Sequence, residues 1–361
     1  MGKVLQREKS RNLNGYERFL WTSGLKGSFT TGIVARLYNR IELVDLRRTL
    51  DLLQREHYLL RATVVGSKEI RFEEVDDHIP IRVEVGTEDL HWQYTVRDET
   101  SRGFASGSLL LMVVCIQSDQ SSDLILVAHH LINDGISGIE LLKDIVRNLG
   151  KDAYNKRFTI PSRHFSFDPL KRVLSHNHNS VEEDKILNAP PSSDSTISTR
   201  ASKYIHQTLN REETARLLEK SKSLEVSLHA LLLGAFTLAT KNFFQLSQSV
   251  PIKIESPFNL RPYLEEENVL SNEVGCFFGL LESVNYAKEH EDLGSSAKMF
   301  QSLIKSNISK EFSVNFLKQT NEWSKNVNSP KEIRDQRSYL DPYIGISNLG
   351  KINLDGFENK I

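Results

Sequence analysis

The chain has 361 residues, more than one small hydrophobic core usually holds, so two domains or subdomains are expected. Apolar residues make up 39 % and charged residues 26 %, which is typical of a globular protein and excludes a disordered or fibrous one. Lys and Arg (46) nearly balance Asp and Glu (47), so no broad basic field favours nucleic acid or an anionic membrane as a partner.

The cysteines and the N-terminus point to a reducing compartment. Cys115 and Cys276 each lie in an apolar run and are expected to be buried free thiols. The N-terminus lacks the apolar segment of a signal peptide, and no apolar run is long enough to span a bilayer. The sequence therefore predicts a cytoplasmic protein without a transmembrane segment.

In the first half, apolar periodicity predicts helices around a pair of strands. Asp45 is positioned to cap a helix over residues 45–57. Residues 109–116 and 124–128 are continuously apolar, as in strands that are covered on both faces. A second helix is predicted over 136–149, ending before Gly150.

A polar segment divides the chain. Residues 176–202 are rich in Ser, Asn, Asp and Pro, and they predict a linker or surface loop between an N-terminal subdomain, 1–175, and a C-terminal one, 203–361. Beyond it we expect a strand at 203–209, a helix that Asn210 and Glu213 cap, and strands at 251–255, 275–284 and 343–347. The helix predicted over 228–241 is apolar nearly all round and is expected to be covered on every side.

The segment from His129 to Gly135 is the most informative for chemistry. Side chains alternate along a strand, so the adjacent rings of His129 and His130 should leave on opposite sides. A neutral imidazole near pH 7 suits a base that takes a proton from a hydroxyl or amine. Alternatively, the histidines are ordinary strand-end residues and Asp134 caps the next helix. A metal site on His130 and Asp134 would need a third ligand, and none stands at a recognisable spacing.

His129–Gly135 also matches the His-His-x-x-x-Asp-Gly signature of a large acyltransferase superfamily. That superfamily includes chloramphenicol acetyltransferase-like enzymes, plant acyl-CoA acyltransferases, peptide-synthetase condensation domains, alcohol acetyltransferases and phthiocerol dimycocerosyl transferases. Further segments resemble its motifs in the expected order: Gly15-Tyr16-Glu17-Arg18-Phe19-Leu20-Trp21, residues 54–62 with Leu60-Arg61, Asn259-Leu260-Arg261-Pro262, Val274-Gly275-Cys276-Phe277-Phe278-Gly279, and Ser347-Asn348-Leu349-Gly350.

The resemblance implies an α/β fold of two chloramphenicol acetyltransferase-like subdomains packed as a V, with a tunnel between them. It implies that His130 is the catalytic base, that His129 is a packing residue and that Asp134, followed by Gly135, supports the site. Arg61 is the expected partner of Asp134. Arg261 and Asn348 are weaker candidates, because structural roles are favoured for both: an ion pair between the halves for Arg261 and a turn for Asn348.

The resemblance also implies transfer of an acyl group from a thioester to a hydroxyl or amine, with a hydroxyl favoured. The donor substrate would be acyl-CoA or a phosphopantetheine-linked acyl group on an acyl carrier protein, and no bound cofactor is expected. The partners would be a small-molecule acceptor and, in one alternative, the carrier protein. A free-standing amide-forming condensation enzyme and a non-catalytic binding protein are the alternatives.

Members of this superfamily usually continue beyond the Ser347–Gly350 segment with further strands and a helix. This chain ends at Ile361, so either this branch is compact or the second half is truncated. In the second case an exposed strand edge and a loosely held second half are expected.

Overall fold

Three β-sheets and nine α-helices make up the part of the chain that the computed structural model describes, which is residues 9–24, 29–149, 170–175, 204–247, 250–264, 273–286, 292–325 and 343–357. The predicted linker, 176–202, lies outside these residues. The class is mixed α/β, as the sequence predicts.

The first sheet has four strands in the order β2-β7-β6-β5, with β2 antiparallel to β7, β7 antiparallel to β6, and β6 parallel to β5. The predicted strands at 109–116 and 124–128 are confirmed, because they correspond to β6 and β7. Every residue of β7 is buried, with alternate side chains in the main core and in a smaller cluster on the other face. The strands are Thr30–Leu37 (β2), Ile81–Val85 (β5), Leu111–Gln117 (β6) and Ser122–His129 (β7).

A second, antiparallel sheet joins three short strands in the order β1-β4-β3. Five helices come from the same part of the chain. The strands are Ser10–Asn12 (β1), Ala62–Val65 (β3) and Arg71–Glu74 (β4), and the helices are Gly15–Gly24 (α1), Leu43–Glu56 (α2), His91–Arg102 (α3), Gly135–Asn148 (α4) and Lys171–Ser175 (α5).

The predicted helix at 136–149 is confirmed as α4. The helix predicted to begin after Asp45 starts earlier: Glu42 occupies the cap position of α2, and no side chain closes that end. Asp45 lies in the first turn instead, where its carboxylate faces the positive end of the helix dipole.

The third sheet has the order β10-β8-β9, with β8 antiparallel to β9 and parallel to β10. Its strands are Pro251–Asn259 (β8), Phe278–Tyr286 (β9) and Tyr343–Gly345 (β10). β9 begins three residues later than the sequence predicts. The backbone of Gly275 and Phe277 is hydrogen-bonded to side chains of α4 and its cap rather than to a neighbouring strand.

Four helices belong to the predicted C-terminal subdomain: Arg211–Ser223 (α6), Leu228–Phe243 (α7), Leu293–Asn307 (α8) and Lys310–Ser324 (α9). The capping box of Asn210 and Glu213 is confirmed at the start of α6. The expectation that α7 is covered on every side is wrong. α8 and β8 pack on one face, while Phe236 and Phe243 on the other are 54 % and 81 % exposed.

The main core crosses the predicted boundary between the subdomains. It is built largely from β6, β7, α1 and α2, and it also takes in Leu260, Cys276, Phe277 and Leu317. Both cysteines are buried and free, as predicted. α9 packs against α1, where the backbone N–H of Gly15 donates to Asn321 Oδ1 over 2.7 Å.

The strand predicted at 203–209 does not form within its described part. Residues 204–210 belong to no helix or strand and are all exposed, so no neighbouring strand completes a ladder there. Among the described helices, none is by itself long and apolar enough to cross a membrane, and α6 and α7 pass that test only as a pair bent by 96°.

Candidate active site

The histidine pair lies at the end of β7, where the strand leaves the sheet. β2 fixes this end: Thr30 is the register partner of His129, and the backbone N–H of His130 donates to the carbonyl oxygen of Phe29 over 2.7 Å. The rings then point to different surroundings, as strand alternation predicts.

His129 is a packing residue in this structure. Its ring lies 5.2 Å from the ring of Trp21 and 6.3 Å from that of Phe104. The backbone N–H of Leu131 donates to Nδ1 over 2.9 Å, so the proton of the neutral ring is on Nε2. Burial, followed by the charge of His130, lowers the pKa of His129 to about 3. Gly24 allows this packing, because a Cβ there would lie 2.1 Å from Nε2.

His130 holds the opposite tautomer. Its Nδ1 lies 2.8 Å from the carbonyl oxygen of Asn133, and a carbonyl can only accept, so the proton is on Nδ1 and Nε2 keeps a lone pair. The residue is half-buried, and its ring is 5.8 Å from Phe29 and 5.5 Å from Phe278. Burial lowers the pKa of His130, although the bond to Asn133 and the charge of Asp134 oppose this. His130 is therefore a neutral base at pH 7.

Both carboxylate oxygens of Asp134 are engaged by hydrogen bonds within the fold. One oxygen accepts from the backbone N–H of Ser137 over 2.9 Å and caps α4. The other accepts from Arg261 Nη1 and from the backbone N–H of Phe277, each over 2.8 Å. Asp134 therefore joins the cap of α4 to the segment that precedes β9.

The predicted pairing of Asp134 with Arg61 is wrong. Arg61 donates from Nε to Glu74 over 2.8 Å, and its Nη1 donates to the carbonyl oxygens of Gln54 and Arg55. These partners lie on β4 and at the end of α2, next to Arg61 in the fold. The Nε and Nη1 groups of Arg61 are therefore engaged by these local partners, and neither reaches Asp134.

Arg261 is the partner of Asp134 instead. An ion pair was the alternative role that the sequence analysis left open for Arg261. It is 2 % exposed and Asp134 is 5 % exposed. Its Nη2 donates to Ser137 Oγ over 2.7 Å and to the carbonyl oxygen of Glu273 over 3.0 Å, and the guanidinium group lies 4.6 Å above the ring of Phe277. Burial of a charged pair is tolerated when its members are paired and hydrogen-bonded in this way.

The other candidates are structural in this geometry. Gly135 is the first residue of α4, and a Cβ there would lie 2.3 Å from Leu349 Cδ2, so the glycine lets the Leu349 side chain approach. Asn348 is exposed, and its Oδ1 accepts from the backbone N–H of Gly350 over 2.8 Å, which is the turn that the sequence left open. Within the described residues, no three His, Cys, Asp or Glu side chains come together as a metal site.

Residues 199–354 match the family model of the phthiocerol/phthiodiolone dimycocerosyl transferase C-terminus. No curated protein matches the chain by sequence.

Solved structures match over most of the chain. The epimerization domain from the third module of tyrocidine synthetase B superposes with a TM-score of 0.67 at 15 % identity, over 86 % of this chain and 74 % of that one. TRI101 of F. graminearum, complexed with coenzyme A and deoxynivalenol, gives 0.65 at 13 % identity, over 96 % and 85 %. Polyketide synthase associated protein 5 from Mycobacterium tuberculosis gives 0.62 at 16 % identity, over 95 % and 81 %.

The chain has the condensation-domain and acyltransferase fold. The predicted resemblance and the predicted class, two subdomains of this type, are thereby confirmed. At these identities the structural neighbours show the fold alone. The boundaries at 175 and 203 stay predictions.

Several residues of the site were not singled out in the sequence. Ser137 Oγ donates to the carbonyl oxygen of Gly275 over 2.7 Å. The hydroxyl of Tyr16 donates to the carbonyl oxygen of Phe278 over 2.9 Å. Cys276 Sγ lies 3.8 Å from His130 Nδ1, and burial raises its pKa well above the ordinary value, so it remains a thiol. Tyr16, Cys276 and Phe278 all lie in segments that resemble superfamily motifs, and this was the available signal.

Proposed function

We propose that this protein transfers an acyl group from a thioester to a hydroxyl or amine, with His130 as the general base and a hydroxyl acceptor favoured. The observation that carries the proposal is the tautomer of His130. Its Nδ1–H is held by the carbonyl oxygen of Asn133, and its Nε2 lone pair belongs to a half-buried ring. His129, by contrast, is buried with Nδ1 already occupied.

The steps follow from this chemistry. Nε2 of His130 takes the proton of the acceptor while the acceptor oxygen or nitrogen attacks the thioester carbonyl carbon. The tetrahedral intermediate then collapses, the carbon–sulfur bond breaks, and the imidazolium returns the proton to the leaving thiolate. Because burial lowers the pKa of His130, the imidazolium is a ready acid towards a thiolate, whose conjugate thiol has an ordinary pKa of about 8.5.

Asp134 and Arg261 act by position. Their ion pair fixes the segment that carries Phe277 and Phe278 against the cap of α4, and Phe278 flanks the ring of His130. The acyl donor is acyl-CoA or a phosphopantetheine-linked acyl group on a carrier protein. One structural neighbour was solved with coenzyme A, and another is part of a peptide synthetase. The experiment below therefore tests both acyl-CoA and carrier-linked donors. Donor and acceptor would enter from opposite mouths of the expected tunnel.

The test is a mass-spectrometric screen. Acetyl-, octanoyl- and palmitoyl-CoA, and the same acyl groups on a phosphopantetheine-loaded carrier, are incubated with mixed alcohols and amines. We expect an ester product that wild type forms and that His130→Ala forms at least about 10²-fold more slowly. His129→Ala is the matched control and should mainly lower stability.

Each other outcome has a definite meaning. An amide product formed from carrier-linked donors alone would favour a condensation-type enzyme. Thermal stabilisation by acyl-CoA without turnover would indicate a binding protein. A near-normal rate for folded His130→Ala would rule out His130 as the base.

A further inference from the structure

Asn259 is the last residue of β8 and lies beside the site. Its register partner is Phe278, the first residue of β9. Directly opposed residues of an antiparallel pair present their side chains on the same face, with Cβ atoms about 4.5–5.5 Å apart. Because the ring of Phe278 is 5.5 Å from the ring of His130, Asn259 belongs to the sheet face that borders the histidine.

The buried arginine fixes the orientation of the Asn259 carboxamide. Oδ1 accepts from the backbone N–H of Arg261 over 3.1 Å, and it lies 3.4 Å from Arg261 Nη1. Both of these groups are donors, so they must face the oxygen, and the NH2 group is turned away from Arg261. The same Nη1 is bonded to Asp134, which ties the carboxamide to the loop that follows His130.

The NH2 group of Asn259 is a donor that the described fold does not use. Within the described residues it makes no hydrogen bond, and Asn259 is half-buried rather than enclosed. Its polar neighbours are committed: Asp134 accepts three hydrogen bonds, and Ser137 Oγ is bonded to Gly275 and Arg261. The Nε–H of Arg261 also lacks a partner, but it is fully buried and cannot reach a ligand.

We propose that the NH2 group of Asn259 donates a hydrogen bond to the thioester carbonyl oxygen as that oxygen becomes an oxyanion. The proposal rests on the proposed acyl transfer, and it supplies the donor which that mechanism needs. A donor that is held in place before the reaction stabilises the developing charge without reorganisation, and loss of one such donor typically costs about 10²–10³ in kcat.

The kinetic test compares substitutions at one position. Asn259→Asp keeps an oxygen for the two Arg261 donors and removes the NH2 group, so kcat should fall by about 10²–10³-fold while KM changes little. Asn259→Gln keeps an NH2 donor and should recover part of the lost rate. Asn353→Asp is the matched control, because Asn353 is exposed and its Oδ1 accepts from the backbone N–H of Asp355 in a similar turn.

A spectroscopic test separates hydrogen bonding from structure. The experiment uses the His130→Ala variant, because it should not consume the acyl-CoA and the bound thioester therefore persists. The acyl-CoA that wild type uses fastest is labelled at its carbonyl carbon. We expect the infrared carbonyl stretch of the bound thioester to lie below its value in buffer, and Asn259→Asp to abolish most of that shift. An unchanged shift, or wild-type kcat in folded Asn259→Asp, would overturn the role of Asn259.

The two proposals fail in different ways. If wild type transfers no acyl group from any donor in the screen, the proposed function is wrong and the role of Asn259 falls with it. If wild type is active and His130→Ala is not, but Asn259→Asp keeps full kcat, only the role of Asn259 is wrong.

Discussion

Two neighbouring histidines at the end of β7 carry their protons on different ring nitrogens. Nδ1 of His129 accepts a hydrogen bond from a backbone N–H, whereas Nδ1–H of His130 donates to a backbone carbonyl oxygen. Burial lowers the pKa of both. One ring is thereby committed to packing, and the other presents a lone pair, so single hydrogen bonds to the backbone distinguish their chemistry.

The pH dependence of the reaction should follow His130. Protonated His130 cannot accept a proton, so kcat/KM should rise with pH and then level off. Because burial lowers the pKa of His130, the midpoint should lie below the ordinary histidine value of about 6.5. Initial rates measured between about pH 4.5 and 9 check this, and a midpoint above the ordinary value would contradict the burial argument.

The Asp134–Arg261 pair should be strongly coupled. Removal of either partner leaves a buried charge unpaired, so Asp134→Ala and Arg261→Ala should each lower the free energy of unfolding by about 3–5 kcal/mol. In a double-mutant cycle measured by urea unfolding, the coupling should be about 0.5–3 kcal/mol.

Arg61 provides the control for that cycle. Since Arg61 pairs with Glu74, Arg61→Ala and Asp134→Ala should add to within about 0.5 kcal/mol. Coupling between Asp134 and Arg61 would instead restore the pairing that the sequence predicted.

At the scale of elements, α1 links distant parts of the chain to the site. It packs on α9, and its Tyr16 hydroxyl holds the carbonyl oxygen of Phe278 beside His130. Gly15 makes the approach to α9 possible, because a Cβ there would lie 1.9 Å from the backbone oxygen of Asn321. The position of α1 therefore affects both packing and the site.

Gly15→Ala should lower both stability and activity. Backbone cannot yield as a flexible side chain can, so α1 must move, at a cost of about 1–3 kcal/mol in the free energy of unfolding. Urea unfolding and initial rates measure the two effects. Gly86→Ala is the control, since its new Cβ would meet nothing closer than 3.4 Å. Equal effects of the two substitutions would show that the contact with Asn321 does not matter.

At the scale of the whole molecule, the hydrophobic interior is uneven. The main core runs through β6, β7, α1 and α2 and reaches into the later part of the chain. A separate cluster of eight buried side chains holds α7 and α8 against β8, and the outer face of α7 leaves Phe236 and Phe243 exposed. Fewer buried contacts mean a smaller free energy for local opening.

Amide hydrogen exchange should reveal this difference. We expect lower protection for α7 and α8 than for β6 and β7, because the smaller cluster can open without disturbing the main core. Exchange measured by mass spectrometry on the intact chain checks this. Equal protection of the two regions would contradict it.

The sequence by itself determined the local structure of several elements. The apolar runs of β6 and β7, the amphipathic helix α4 and the capping box of α6 each depend on neighbouring residues, so their periodicity was enough. The His129–Gly135 motif and its flanking segments were also enough for the fold class, which the structural neighbours confirm.

Tertiary structure alone decided which charges meet and which faces are covered. Asp134 and Arg261 are 127 residues apart, and no periodicity reaches across that distance. Arg61 was the expected partner of Asp134, but β4 supplies Glu74 beside it in the fold. Likewise, α7 is apolar all round, but whether its outer face is covered depends on what packs there, and a helix's own sequence does not specify its neighbours.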